Sequence, residues 1–444
     1  MEGVEKYWNP ILETIPREKL ERLQLKKFQS VFKWAYEHSR FYHRLYRDAG
    51  IEPGDIRTYE DIRKVPKVEK SMMRAVQGKE PYPYGDVLCV PPEAVSEYHQ
   101  TSGTTGQPIY QPDTWQDWEW FAESWAYILY AQGYRDHDRV FIPFGYNVFI
   151  AFWGAHYGAE KVGCEVVPGG VLNTEARILK MQELRATAFM ATPTYVLGMA
   201  DLARRKLGID PARELGIRRI TVAGEPGGSI PTTRKRMEEA WGAKVYDHAG
   251  ATEIGAWGYE CLSQSGLHVN EALFIVEIED IDTGEFIVEP GKKGKMVITA
   301  LDRMAQPCIR FDSKDIIEWG PDTCECGRTF RLVKGGVTGR ADSLTKVKGV
   351  LLSPASIEEV VRGMPELSDE YEVVVTKKGD IDDITLRVEV LPGQEGNIEA
   401  IKAGLANQLR VKTNLGYNLE FHSYGTLPRY DVKANRYKDL RHQE

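Results

Sequence analysis

No stretch of this 444-residue sequence is apolar for long enough to span a bilayer, and its first residues, MEGVEKYWNP, lack the basic-then-apolar pattern of a secretory leader. A cytoplasmic protein with no membrane partner is expected. Positive charge is not in excess either: 57 Lys and Arg face 65 Asp and Glu, a net −8, which leaves no global field to draw in nucleic acid. Cysteine is scarce. Six in a chain of this length (Cys89, Cys164, Cys261, Cys308, Cys324 and Cys326) do not form a disulfide framework, and only Cys324 and Cys326 are clustered. Internal repeats and low-complexity tracts are also missing, so a solenoid or a long disordered linker is excluded.

What is present is the composition of an ordinary globular protein, 42% hydrophobic and 27% charged. The length exceeds what one core serves, which predicts a large domain and a smaller one. Residues 15–50 read as helices, because Leu20, Leu23, Leu25, Phe28, Val31, Phe32 and Ala35 approximate a helical stripe among charges. From about residue 90 to 300, runs such as RVFIPF, CEVVP, AFMATP, RRITVAG and AKVYDH alternate with helical patterns at Thr174–Leu184 and Thr232–Trp241. That alternation is the mark of βαβ units and a mostly parallel sheet. Beyond residue 272 the strand-rich segments LFIVEIED, KMVITAL and CIRFDSKDIIEW predict a β-rich subdomain. The Gly-rich GGVTGRAD then leads into about 100 residues of mixed α/β. The expected class is therefore α/β, with domains at 1–339 and 340–444 and a boundary at Gly339–Asp342.

The most informative string is TSGTTGQP. Gly103 and Gly106 permit tight turns and close backbone approach, while Ser102, Thr104 and Thr105 place hydroxyls beside exposed N–H groups, and together these make a phosphate cradle. No Gly-Lys-Thr follows, so it is not a Walker A loop. AlaGlyGluPro, at Ala223–Pro226, leaves the strand RRITV at the end of a parallel sheet where α/β proteins put ligands.

The string resembles the phosphate loop of the adenylate-forming superfamily, and the surrounding text is similar to the phenylacetate–CoA ligase family. The likeness runs from FYHRLYRDAGI through GAHYGAEKVGCEVVP to LPRYDVKANR. It implies a large N-terminal adenylation domain and a small mobile α+β C-terminal domain. Thr101, Ser102, Gly103, Thr104, Thr105 and Gly106 would hold the polyphosphate of ATP, and Gly224, Glu225 and Pro226 would lie along the adenine. In YDHAGATEIG, the resemblance assigns Asp247, His248 and Thr252 to the nucleotide and Glu253 to Mg²⁺, whose preference for hard oxygen suits a carboxylate. Asp315 of CIRFDSKD would accept hydrogen bonds from the ribose hydroxyls. Arg340 falls near the nucleotide, and Asp342 falls at the hinge of the small domain. Lys433 would bridge the reacting carboxylate and the α-phosphate, where charge builds during attack.

The sequence departs from the family pattern at two positions. Ala249 stands where relatives often carry an aromatic able to stack on adenine, and Gln107 stands where the loop usually continues with Lys. The acid pocket is expected along Phe141–Gly158, whose aromatic side chains suit a flat apolar acid; Tyr146, Phe149 and Phe152 are its candidate contacts. Cys324 and Cys326 are too closely spaced to complete a metal site alone. With Cys261 and His268 they make the Cys₃His set of closed structural Zn²⁺ sites, and similar residues surround zinc in part of the family.

The implied reaction is ATP-dependent activation of an aryl or arylacetic acid as its acyl-adenylate, then transfer to CoA. Partners are the acid, ATP and CoA, with a homodimer left open. Two other readings share the nucleotide motifs: an adenylyltransferase acting on a phenolic or deazaflavin hydroxyl without CoA, and a non-catalytic nucleotide-binding relative. If Lys433 acts on the α-phosphate, Lys433→Ala cripples adenylation in pyrophosphate exchange but leaves thioester formation from supplied acyl-adenylate largely intact; equal loss of both halves would count against the assignment.

Overall fold

In the computed structural model, residues 6–101, 107–341, 346–347, 350–351, 354–378, 381–430, 434 and 436–441 are described. The chain divides into two compact units, one of residues 1–171 and 248–337, the other of 172–247 and 338–444. No described helix is long and apolar enough to cross a membrane.

The first unit opens with the predicted helices. Arg17–His38 buries Leu20, Gln24, Phe28, Val31, Phe32 and Ala35, a stripe of helical period. Ser39 ends it and caps the next helix, Arg40–Asp48, by accepting from the Tyr42 N–H. The one polar member of the stripe, Gln24, donates through Nε2 to the carbonyls of Glu271 and Phe274 at 2.8 and 3.0 Å. A buried amide is thus satisfied and pins the helix to the strand-rich segment.

The strands Arg139–Ile142 and Glu165–Pro168 pair in parallel across the helix Ile150–Val162. That helix lies against Trp115–Ala131, and sequence explains how closely. A Cβ at Gly154 would come 2.0 Å from the Phe121 ring, and one at Gly158 would come 2.3 Å from the Trp125 Cβ. Bare backbone one turn apart makes room for two large aromatics. The β-rich subdomain is an antiparallel sheet of Phe286–Ile287, Phe274–Glu279, Lys293–Ala300 and Phe311–Glu318. A further antiparallel set, Gly255–Tyr259, Leu267–Val269 and Leu332–Val333, continues from the end of Lys244–Ala251.

In the second unit, Ala188–Ala191, Arg219–Val222 and the start of Lys244–Ala251 pair in parallel, as the alternating runs predict. Its C-terminal part sets helices Pro354–Gly363 and Ile398–Thr413 on a mixed sheet of Asn418–Ser423, Ile381–Val390, Leu367–Lys378 and Tyr437–Asp439. Ile357, Val361, Val375, Ile384, Leu386, Val388, Leu405 and Leu409 form its core, all at 0% exposure.

One ion pair in the first unit is fully buried. Arg303 donates through Nε and Nη2 to both oxygens of Asp113, each at 2.7 Å, and neither side chain is exposed. Its remaining Nη1 donates to the carbonyls of Thr252 at 3.0 Å and Glu253 at 3.5 Å. Asp113→Ala leaves that cation unpaired and should cost about 3–5 kcal/mol by chemical denaturation, whereas Asp113→Leu with Arg303→Met should recover much of the loss. A loss under about 1 kcal/mol for the single change would show that the pair is not the tie described here.

Candidate active site

The turn Thr252–Ile254 follows the strand Lys244–Ala251, whose pairing with Gly255–Tyr259 shifts register between Ala249 and Gly250. Pairing resumes at Gly250 and Ala251, so the bulge bends the hairpin just before the turn. Arg303 then fixes the turn by its backbone carbonyls, which leaves the Glu253 carboxylate free for another partner. That carboxylate is 6% exposed, and its Oε1 meets the Lys70 ammonium at 2.6 Å. His248, on the same strand, has Nδ1 2.8 Å from the Gly258 carbonyl, so the proton sits on Nδ1. Burial holds its pKa down at about 4, and the ring is neutral beside Trp125.

The segment TSGTTGQP is clasped at its two ends, by Thr101 and by Ile109, the residue that follows it. Thr101 is buried, its N–H donates to the Ile109 carbonyl at 3.1 Å, and its Oγ1 accepts from the Ile109 N–H at 2.9 Å. The strands on either side, Glu97–Gln100 and Tyr110–Asp113, pair antiparallel. Ser102, Gly103, Thr104, Thr105 and Gly106 lie outside the described residues. Asp315 stands on Phe311–Glu318, half-buried, its N–H donating to Ser313 Oγ at 3.1 Å. Its neighbour Asp312 is the more buried acid and is neutralised by Lys314 at 2.8 Å and Lys295 at 3.2 Å.

The aromatic segment largely organises itself. Phe144 stacks on Phe152 with centroids 4.0 Å apart, and Tyr146 meets Trp153 edge-on at 4.8 Å. The Tyr146 hydroxyl is 2.7 Å from His156 Nδ1, and His156 Nε2 is 3.1 Å from Glu160. Phe149 is 40% exposed. Of the three proposed contacts, Phe152 and Tyr146 therefore have fixed orientations, while Phe149 faces outward.

In the second unit, the exit from Arg219–Val222 holds Gly224 at φ +90°, a conformation that glycine adopts without strain. The two oxygens of Glu225 accept from separate backbone N–H groups, Thr194 at 2.7 Å and Ala434 at 2.9 Å. Asp247 accepts a hydrogen bond from Ser229, and a Cβ on Gly228 would meet its carboxyl carbon at 2.6 Å. Pro226 is exposed in the same turn, and Arg340 ends the short strand Gly339–Arg340 with its side chain exposed. Asp342 and Lys433 lie outside the described residues.

The sulfur-rich residues do meet. Cys261, His268, Cys324 and Cys326 bring their ligand atoms within 4.8 Å of one another. Cys261 and Cys324 sulfurs are 3.7 Å apart, and Cys326 Sγ is 3.3 Å from His268 Nε2. Zn–S bonds of about 2.3 Å at a tetrahedral angle put two sulfurs roughly 3.8 Å apart, so the donor set fits that ion. His268 Nδ1 lies 3.1 Å from the Phe330 carbonyl, which fixes the tautomer with Nε2 toward the sulfurs. The hydrogen bond from Cys261 and the nearby imidazole hold the Cys326 thiol well below its usual range.

Sequence reading missed Asp113, Arg303 and Lys70. Nothing in the sequence linked Arg303 to an aspartate 190 residues away.

The model of the AMP-binding enzyme family matches residues 58–301, and that of the AMP-binding enzyme C-terminal domain matches 349–441. The phenylacetate-coenzyme A ligase of Thermus thermophilus is 33% identical over 98% of this chain and 99% of its own. That of Pseudomonas putida is 32% identical over 97% and 96%. The crystal structure of 2-hydroxyisobutyryl-CoA ligase, in the postadenylation state with R3-HIB-AMP, is 28% identical and superposes with a TM-score of 0.93 over 99% of this chain and 93% of that one. With relatives 32–33% identical over 97–98% of its length, the chain belongs to the phenylacetate–CoA ligase family of adenylate-forming, AMP-binding enzymes.

Proposed function

We propose that the protein is an AMP-forming acid–CoA ligase that converts an aryl or arylacetic acid, by way of its acyl-adenylate, to the CoA thioester. The full-length likeness to phenylacetate-coenzyme A ligases carries this reading. In the first half-reaction a carboxylate oxygen of the acid attacks the α-phosphorus of ATP and pyrophosphate leaves. In the second, the CoA sulfur attacks the acyl carbon and AMP leaves. Lys433 stabilises the charge that builds on the α-phosphate and carboxylate oxygens. Thr101–Gly106 cradle the polyphosphate, Asp315 accepts from the ribose, and Gly224–Pro226 lie along the adenine. Thr252 contacts the nucleotide, and Glu253 would hold Mg²⁺, which would draw charge from the phosphate oxygens. Tyr146, Phe149 and Phe152 line the acid pocket.

We place the adenylation domain at 1–339 and the mobile domain at 340–444, with Asp342 as the hinge, so that one site serves both halves. A cytoplasmic setting suits the free thiols of Cys89, Cys164 and Cys308. Cys261, His268, Cys324 and Cys326 hold a structural Zn²⁺, a role supported by their spacing and by the Phe330 contact that orients His268.

ATP–pyrophosphate exchange across a panel of benzoates and phenylacetates, with mass detection of CoA thioesters, should give exchange and thioester with at least one acid. Exchange with none, or a stable AMP conjugate without thioester, would overturn the reading. Metal analysis should find one zinc per chain, lost in Cys324→Ser; a wild-type protein without stoichiometric zinc would sink the metal assignment.

A further inference from the structure

With a divalent cation at Glu253 and a triphosphate at the phosphate loop, the segment Thr101–Pro108 still contains no Lys or Arg. The loop therefore offers only N–H and hydroxyl donors. A strong anion in such a cradle calls for a cation from elsewhere. Lys70 is placed to supply it.

The segment carrying Lys70 is fixed on three sides. The Val68 N–H donates to the Arg310 carbonyl at 3.0 Å, and the Asp312 N–H donates to the Val68 carbonyl at 2.9 Å, so the segment bridges the strand that bears Asp315. Glu69 pairs with Lys314 of that strand at 3.0 Å. The helix Lys70–Val76 ends at Gln77, whose Nε2 donates to the Tyr110 carbonyl at 2.7 Å and whose Oε1 accepts from the Tyr110 N–H at 3.0 Å. Tyr110 opens the strand that leaves the phosphate loop. One short segment thus touches the elements of the ribose acid, the loop exit and, through the Lys70 ammonium, Glu253 at 2.6 Å.

Charge accounting explains why a lysine sits there. Glu253 is 6% exposed, and a carboxylate so buried is costly without a counter-ion. Lys70 is that counter-ion. Its own side chain is 35% exposed, so the ammonium is at once paired to the buried acid and open to a ligand. Once Glu253 faces a divalent ion, the ammonium is one positive charge too many beside it. A four-carbon stem lets a lysine move its point charge by a few ångströms, which the rigid fork of an arginine would not do as readily.

We infer that Lys70 is a phosphate-binding residue of the nucleotide site, held on Glu253 in the empty enzyme and transferred to the β- and γ-phosphates of ATP when Glu253 takes its metal. This rests on the adenylating function proposed above. The same ammonium would then neutralise charge on the departing pyrophosphate, while contributing nothing to AMP.

Calorimetric binding of ATP and of AMP, each with Mg²⁺, tests it. Lys70→Met should weaken ATP by about tenfold or more while leaving AMP within about twofold, Lys70→Arg should retain most of the affinity, and Gln107→Lys should restore part of it in the Lys70→Met background. If ATP and AMP weaken alike, or neither changes while the melting temperature falls, Lys70 is a structural counter-ion and the inference fails. Should Lys70→Met not fold, the double change Lys70→Gln with Glu253→Gln removes both charges of the pair; it should bind ATP about tenfold more weakly than Glu253→Gln alone, and equal binding overturns the inference. A wild-type protein that binds neither nucleotide would overturn the adenylating function itself, a result distinct from wild-type binding with indifferent Lys70 variants.

Discussion

A guanidinium with no exposed surface must have its donors met by the protein, and Arg303 meets them with parts of the chain that are far apart in sequence. Asp113 takes two of its N–H groups, and the carbonyls of Thr252 and Glu253 take another. Asp113 ends the strand that follows TSGTTGQP, so that segment and the turn Thr252–Ile254 share one buried cation. The next turn extends the tie: Thr114 and Asp117 form a capping box for Trp115–Ala131, and Asp117 also accepts from the backbone N–H groups of Met304 and Ala305 at 2.5 and 3.1 Å. A buried ion pair adds little net stability over apolar packing of the same shape. Its effect here is on register, because any slip of the loop exit against the Thr252–Glu253 turn would strand a charge.

Periodicity made the scaffold legible. The helix stripe Leu20–Ala35 and the runs RRITV and AKVY announce their elements because burial of one face, or of both, is written locally. The motifs TSGTTG and ATE were legible for another reason: each is a contiguous run, so a likeness to a family shows in local sequence. What stayed hidden depends on pairing across the fold. Nothing near Asp113 signals Arg303, Lys70 reads as one more surface lysine until Glu253 is beside it, and Gly154 and Gly158 read as helix-weakening residues until Phe121 and Trp125 fill the space they leave. The cysteines fall between these cases. The Cys-Glu-Cys spacing showed half a site, and only the strand Leu267–Val269 brings His268 to it.

That cluster has a structural setting of its own. Cys326 accepts at sulfur from the Arg328 N–H at 3.4 Å, and its carbonyl accepts from the Tyr7 hydroxyl at 2.9 Å. The Arg328 guanidinium pairs with fully buried Glu13 and donates to the Lys6 carbonyl, while the Thr329 N–H reaches the Glu13 carbonyl. Gly327, at φ +85°, would put a Cβ 2.5 Å from the Tyr7 hydroxyl. The start of the described chain is thus held by the same loop that presents two of the sulfurs. Because Glu13 is buried and its charge is met by Arg328, the loop and the N-terminal segment order one another, and an ion at the sulfurs would stabilise both.

In the second unit, polar contacts to both side chains and backbone tie the C-terminal part to residues 172–247. Arg236 donates to the Met364 carbonyl at 2.6 Å and pairs with Asp369 at 2.7 Å, Thr233 donates to Glu358 at 3.0 Å, and Tyr424 donates to Asp201 at 2.6 Å. Glu225 joins the set through the Ala434 N–H. Interfaces of this kind exchange their partners for water at small net free-energy change, unlike an apolar core such as that around Leu386 and Leu405. Glu225 adds one such contact, its charge meeting a single backbone N–H of the C-terminal part, that of Ala434.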